Sequence, residues 1–144
     1  MTLSRASGCA IAVAVLWTAP IFGADAGSPN AAPAGDAITA GRSTFQQFCA
    51  ACHGRDGRGN GPIVQFLLRD PADLTHIRAR NMGVFPKDTL GSILLAPSRN
   101  AAPEGVPTQM MIWGPIFQSM DNDRRRALAR VEELLTFLES IQEE

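Results

Sequence analysis

Cys49, Cys52 and His53 are the residues whose types and spacing could do chemistry, in the run Cys49-Ala50-Ala51-Cys52-His53. On a helix, side chains three and four apart share a face, so two thiols and an imidazole can address one flat object. In that register each thiol can form a thioether with a vinyl group of a porphyrin, while the imidazole directly after the second thiol offers a nitrogen to its iron. C-x-x-C-H is the attachment pattern of a c-type haem. Three other chemistries compete. A thioredoxin-like redox pair would follow a strand in a βαβ unit, whereas the residues before Cys49 have helical periodicity. Structural zinc needs four ligands, usually in two paired sets; beyond the motif the chain has only Cys9, in a stretch that reads as a leader, and His76. A disulfide between cysteines this close would close a tiny loop and constrain the unfolded chain very little.

The elements around the motif read as helices. Ile38, Phe45, Phe48, Cys49 and Cys52 recur at helical spacing over 37–52. Gly41 costs such a helix up to about 1 kcal/mol relative to alanine, and close approach of the last helix is the expected reason for it. Gly54 to Pro62 holds four glycines; such a loop lets backbone lie against a ligand, and it lacks the lysine and hydroxyl of a phosphate-binding loop. After the apolar run Ile63–Leu68, Asp70-Pro71-Ala72-Asp73-Leu74-Thr75 predicts a second helix start, with Asn81-Met82-Gly83 as its stop. Pro86-Lys87-Asp88 predicts another helix through Leu94. Ala96 to Thr108 reads as a surface loop, and Gln109 to Phe117 is apolar enough to require cover. Asp121 or Asp123 is expected to cap a long helix whose Leu128, Val131, Leu135, Leu138 and Ile141 form one face, widened by Leu134 and Phe137. The Arg124-Arg125-Arg126 run at its start reads as solvated.

The 144 residues make one domain, and a net charge of -1 leaves no footprint for nucleic acid. Aromatics are 6% with no tyrosine, so the core is short of large side chains; a bound macrocycle would supply the missing apolar volume. Arg5, the apolar run Cys9–Trp17 and Ala24-Asp25-Ala26 form the pattern of a secretory signal peptide over 1–26, cleaved after Ala26. The alternative is an uncleaved membrane anchor, although Ser7, Gly8, Thr18 and Pro20 thin the stretch. Residues 27–36 read as a flexible lead-in, followed by the folded domain over 37–144.

With these pieces in place, residues 37–144 resemble the class I cytochrome c family. The likeness is carried by Gly41 and Phe45, the Cys49–His53 motif, Gly54, Gly59-Asn60-Gly61-Pro62, Pro71-Ala72-Asp73-Leu74-Thr75, Met110 to Gly114, and the closing helix Val131 to Gln142. The resemblance implies an all-α fold of about four to five helices around one haem c, attached through Cys49 and Cys52. It implies His53 as proximal iron ligand, its Nδ1 hydrogen accepted by the carbonyl of Pro62. Met110 stands three before Trp113-Gly114, similar to the family's Met-Pro-x-Trp-Gly, in which the methionine ligates and the tryptophan walls the pocket. Met111 stands where that pattern has proline. The iron ligands expected are therefore His53 and Met110, with Met111, His76, Met82, Met120 or an open sixth position as alternatives. Residues 94–107 also lack the acidic-Gly or His-Gly element common in relatives. The function implied is that of a periplasmic one-electron carrier rather than an enzyme. It would run between a donor dehydrogenase or respiratory complex and an acceptor reductase or oxidase, with no stable membrane insertion once the leader is cleaved. The alternatives are a cytochrome subunit of a larger oxidoreductase, or a haem sensor or enzyme with an open iron face. Arg55, Arg58, Arg69, Arg78, Arg80 and Lys87 would balance haem propionates or steer an acidic partner.

Overall fold

The computed structural model describes residues 33–98 and 110–143. The expected leader, most of the lead-in and most of the 96–108 loop lie outside the described residues. Helix α1, Ala34–Phe48, starts three residues before the apolar periodicity does, with Pro33 as its N-cap, because a proline whose φ is fixed is tolerated at a helix start. The helix does not run unbroken through the motif. Cys49, with φ -113°, interrupts it, and Ala50–His53 resumes as the four-residue turn α2, which ends at Gly54. The amide of Cys49 still donates to the Phe45 carbonyl and that of His53 to the Cys49 carbonyl, both at 2.9 Å, so the two pieces stay in register.

The second expected helix is divided. A 3₁₀ turn, Leu74–His76, is capped by Asp73, whose carboxylate accepts the Thr75 amide, and it leads into the short α3, Ile77–Arg80. Left-handed Met82 and Gly83 then reverse the chain. Helix α4 spans Lys87–Leu94. Helix α5, Trp113–Asp121, was not foreseen: the apolar stretch containing it is helical from Trp113 onward, with Pro115 in the first turn, where a missing N–H costs nothing. Helix α6, Arg124–Ser140, is capped by Asp123, which accepts the Arg125 amide at 2.9 Å. All the described elements are helices. Among the described residues six α-helices thus stand where four to five were expected, two of them single turns.

The core forms where α1 crosses α6. Phe45 and Phe137 are fully buried with ring centroids 5.3 Å apart, and the Arg42 guanidinium lies 4.9 Å from the Phe137 ring centre. The buried face of α6 is Ala127, Val131, Leu134, Leu135, Phe137 and Leu138. Leu128, expected on that face, is 42% exposed. The spacing 127, 131, 134, 138 centres the face one position away, and Leu128 lies about 100° around the helix from Ala127. It borders an open groove of ≈ 620 Å³ between α4 and α6, with Leu95, Val131 and Leu135.

Asp121 and Arg130 fasten the α5–α6 corner. The guanidinium donates from Nε to one carboxylate oxygen at 3.0 Å and from a terminal nitrogen to the other, and it sits 5.7 Å from the Phe117 ring centre. The Asp121 side chain is only 6% exposed. Hydrogen bonding from Arg130 holds its carboxyl below the ordinary value against the opposing effect of burial. A lowered folded-state pKa means that this contribution is complete above the unfolded carboxylate value, about 3.9, and is lost as pH falls through the folded one. Asp121→Asn is therefore expected to lower the melting temperature at pH 7 by more than loss of an exposed pair, worth about 0.2–1 kcal/mol. Below pH about 4 the difference from the parent should shrink, which thermal melts across pH would show.

Candidate functional site

Buried Ala50 seats α2 against the core, and Cys49 and Cys52 flank it with both thiols free of any disulfide. Burial, aided by the nearness of Cys52, pushes the Cys49 thiol up to about 12. Helix α1 and not a strand leads into the motif, so the βαβ setting of a thioredoxin-like redox pair is missing here. Among the described residues no three His, Cys, Asp or Glu side chains converge to hold a metal ion, so a protein-only tetrahedral site lacks ligands.

The imidazole of His53 is half-buried, and burial lowers its pKa against the opposing effect of its hydrogen bond. It is therefore neutral at pH 7, the form that ligates metal. Its Nδ1 lies 3.0 Å from the carbonyl of Ala72. A carbonyl can only accept, so Nδ1 carries the hydrogen and Nε2 keeps the lone pair.

This corrects the role expected for Pro62. Gly61 and Ile63 donate their amides to the carbonyls of Cys52 and Ala51, at 3.0 and 3.2 Å. The glycine loop thus meets the end of α2 with donors, and Pro62 itself is exposed. The acceptor comes instead from the Pro71–Thr75 segment. Gly59, with φ +78°, donates to the His53 carbonyl at 2.8 Å. A Cβ built on it would stand 2.4 Å from the Pro71 carbonyl, so only glycine there lets Pro71-Ala72 reach the histidine. Ala72 was not singled out by its own type; its signal was the Pro-x-Asp-Leu-Thr context.

Met110 packs against the core cluster while Met111 is 56% exposed, as alternation along an extended approach to α5 requires. Trp113 opens α5 and stacks on Phe117 at 5.3 Å; Phe48, the residue before Cys49, meets both rings edge-on at 5.6 and 5.5 Å. One aromatic cluster therefore joins the Trp113 end of the methionine segment to the cysteine motif. The other candidate ligands are placed differently. His76 Nδ1 lies 2.9 Å from the Thr75 hydroxyl and 3.2 Å from the Asp73 carboxylate, while Met82 is 94% and Met120 50% exposed. Five of the six basic residues are also engaged: Arg55 with Gln46, Arg58 with Glu143, Arg78 with Glu139, Arg80 with the Asp73 carbonyl and Lys87 with Glu132.

Two half-buried free thiols beside an imidazole whose Nε2 is its remaining donor fit a covalently held haem iron, and the Met110 segment reaches the motif through the Trp113–Phe48 contact. A sequence model of the family described as Cytochrome c matches residues 38–130. No curated protein and no solved structure matches the chain.

Proposed function

Because that match covers more than half of the chain, the protein belongs to the cytochrome c family, whose function is haem-based electron transfer, and we propose that it is an exported one-electron carrier with a single haem c. Cys49 and Cys52 would hold the haem through thioethers, and His53 and Met110 would ligate its iron. The haem supplies an iron that alternates between ferrous and ferric states. The chain's own residues do the rest. Ala72 orients the His53 imidazole through Nδ1 and raises its basicity, Met110 supplies a soft donor that favours the ferrous form, and Trp113 with Phe48 excludes water from one side. No substrate is transformed. A dehydrogenase or respiratory complex supplies the electron outside the cytoplasm, where the leader over 1–26 directs the chain, and a reductase or oxidase removes it.

The observation that carries this reading is His53, bonded through Nδ1 to the Ala72 carbonyl beside two thiols outside any disulfide. Protein from a host with haem-attachment machinery is expected to keep its haem through denaturing electrophoresis; loss of all haem there would sink the proposal. Met110→Ala should abolish the sulfur-to-iron charge-transfer band of the ferric protein and open the ferrous iron to carbon monoxide. A band that survives the substitution would move the ligand to another methionine, Met111 first.

A further inference from the structure

Ala72 is exposed, so water competes for the carbonyl that His53 uses, and its position depends on its neighbours. On the downstream side both backbone groups of Leu74 are engaged. Its amide donates to the Gly57 carbonyl at 2.7 Å, and its carbonyl accepts from Gln142 Nε2 at 2.7 Å. The same Gln142 nitrogen donates to the Leu138 carbonyl at 2.7 Å, while Oε1 accepts the Arg78 amide at 2.8 Å. Only the NH₂ group can donate to two carbonyls, so the amide has one orientation. The next residue, Glu143, donates its amide to the Thr75 carbonyl at 2.8 Å, and its carboxylate pairs with Arg58 in the glycine loop. Ile141 closes the same face, its Cδ1 3.0 Å from where a Cβ on Gly57 would stand.

We propose that Gln142 and Glu143 are positioning residues for the proximal histidine: the chain beyond α6 clamps the Leu74–Arg78 segment against the glycine loop and so holds the Ala72 carbonyl on His53 Nδ1. The inference rests on His53 being an iron ligand, as proposed above. An imidazole whose Nδ1 hydrogen is held by a carbonyl is the more basic ligand, and a more basic ligand stabilises the ferric form more than the ferrous. Loosening the clamp therefore weakens that stabilisation and raises the midpoint potential. The C-terminus, remote in sequence from the haem motif, becomes one of the determinants of potential.

The test uses purified haem-loaded protein in three forms besides the parent. Gln142→Met keeps the length of the side chain and loses all three of its hydrogen bonds. Gln142→Leu also loses all three and, like Gln142→Met, adds no charge that would itself move the potential. Ser140→Ala removes a different hydrogen bond at the same helix end, from the hydroxyl to the Phe137 carbonyl. Both Gln142 variants should keep covalent haem, show a higher midpoint potential than the parent, and exchange the Leu74 amide about tenfold faster or more. Ser140→Ala should leave the potential unchanged whatever it costs in melting temperature. Should Gln142→Met not fold, Gln142→Leu decides the question. A potential equal to the parent's in the folded Gln142 variants overturns the inference and leaves Gln142 a structural residue only. A parent protein without covalent haem overturns instead the reading on which the inference rests.

Discussion

Replacing both Cys49 and Cys52 by alanine is expected to yield a chain that releases all its haem in denaturing electrophoresis and, once stripped, unfolds without a cooperative transition. The first half follows from chemistry, since no thioether can form. The second follows from what the protein buries by itself. Among the described residues the large side chains under 2% exposed are Phe45, Phe117, Phe137, Leu134 and Val131, while Phe66 is 77% and Leu68 91% exposed. A haem that removes about 400 Å² of apolar surface from water contributes on the order of 10 kcal/mol at about 25 cal/mol per Å². That equals most or all of the roughly 5–15 kcal/mol by which a domain is stable. Each single substitution, Cys49→Ala or Cys52→Ala, leaves one thioether and should keep haem on the gel. Circular dichroism melts of the stripped double variant provide the measurement. A cooperative transition at the midpoint of the haem-loaded parent would show that the helices need no macrocycle, and the volume argument would be lost.

What could be read from the residues depended on whether the signal lay in side chains. The haem motif is five consecutive residue types, and α6 is an amphipathic helix with a capping aspartate, so both were legible. Gly41 was legible too, as a helix-interior cost needing a reason. The acceptor for His53 was not, because it is a backbone carbonyl 19 residues away, and every residue has a carbonyl. Pro62 was expected from its likeness to the family's loop proline, yet Gly61 and Ile63 use that stretch to donate into the end of α2. Gln142 was hidden for a related reason: a polar residue past a helix end reads as solvated unless its backbone partners are known. The break at Cys49 and the helix α5 are local backbone choices that hydrophobic periodicity does not encode. Within residues 110–114 packing distinguishes Met110, set against the core cluster, from exposed Met111, and the ligand itself is what Met110→Ala tests.

Gly41→Ala is the second large effect, and it runs against helix propensity. In an isolated helix the substitution gains up to about 1 kcal/mol. Here a Cβ on Gly41 would stand 2.0 Å from the Glu133 carbonyl oxygen, 2.6 Å from its carbon and 2.8 Å from the Phe137 Cβ. None of these is the far end of a flexible side chain, so α1 must retreat from α6 as a unit. The retreat opens the 5.3 Å contact of Phe45 with Phe137. It also displaces Phe48 and Cys49, which lie at the far end of the same helix. Overpacking of a tight core costs about 1–3 kcal/mol, and clash with helix backbone belongs at the upper end. After the propensity gain the net loss should be about 2 kcal/mol, a fall in melting temperature of roughly 10 °C for a domain near 100 residues. Gly35→Ala is the control: it lies in the first turn of the same helix with nothing within 4 Å of the added carbon, so propensity alone acts and stability should hold or rise. If Gly41→Ala melted as high as Gly35→Ala, the α1–α6 crossing would have to be looser than its geometry allows. The site would then have to owe its position to the loops and not to the helix pair.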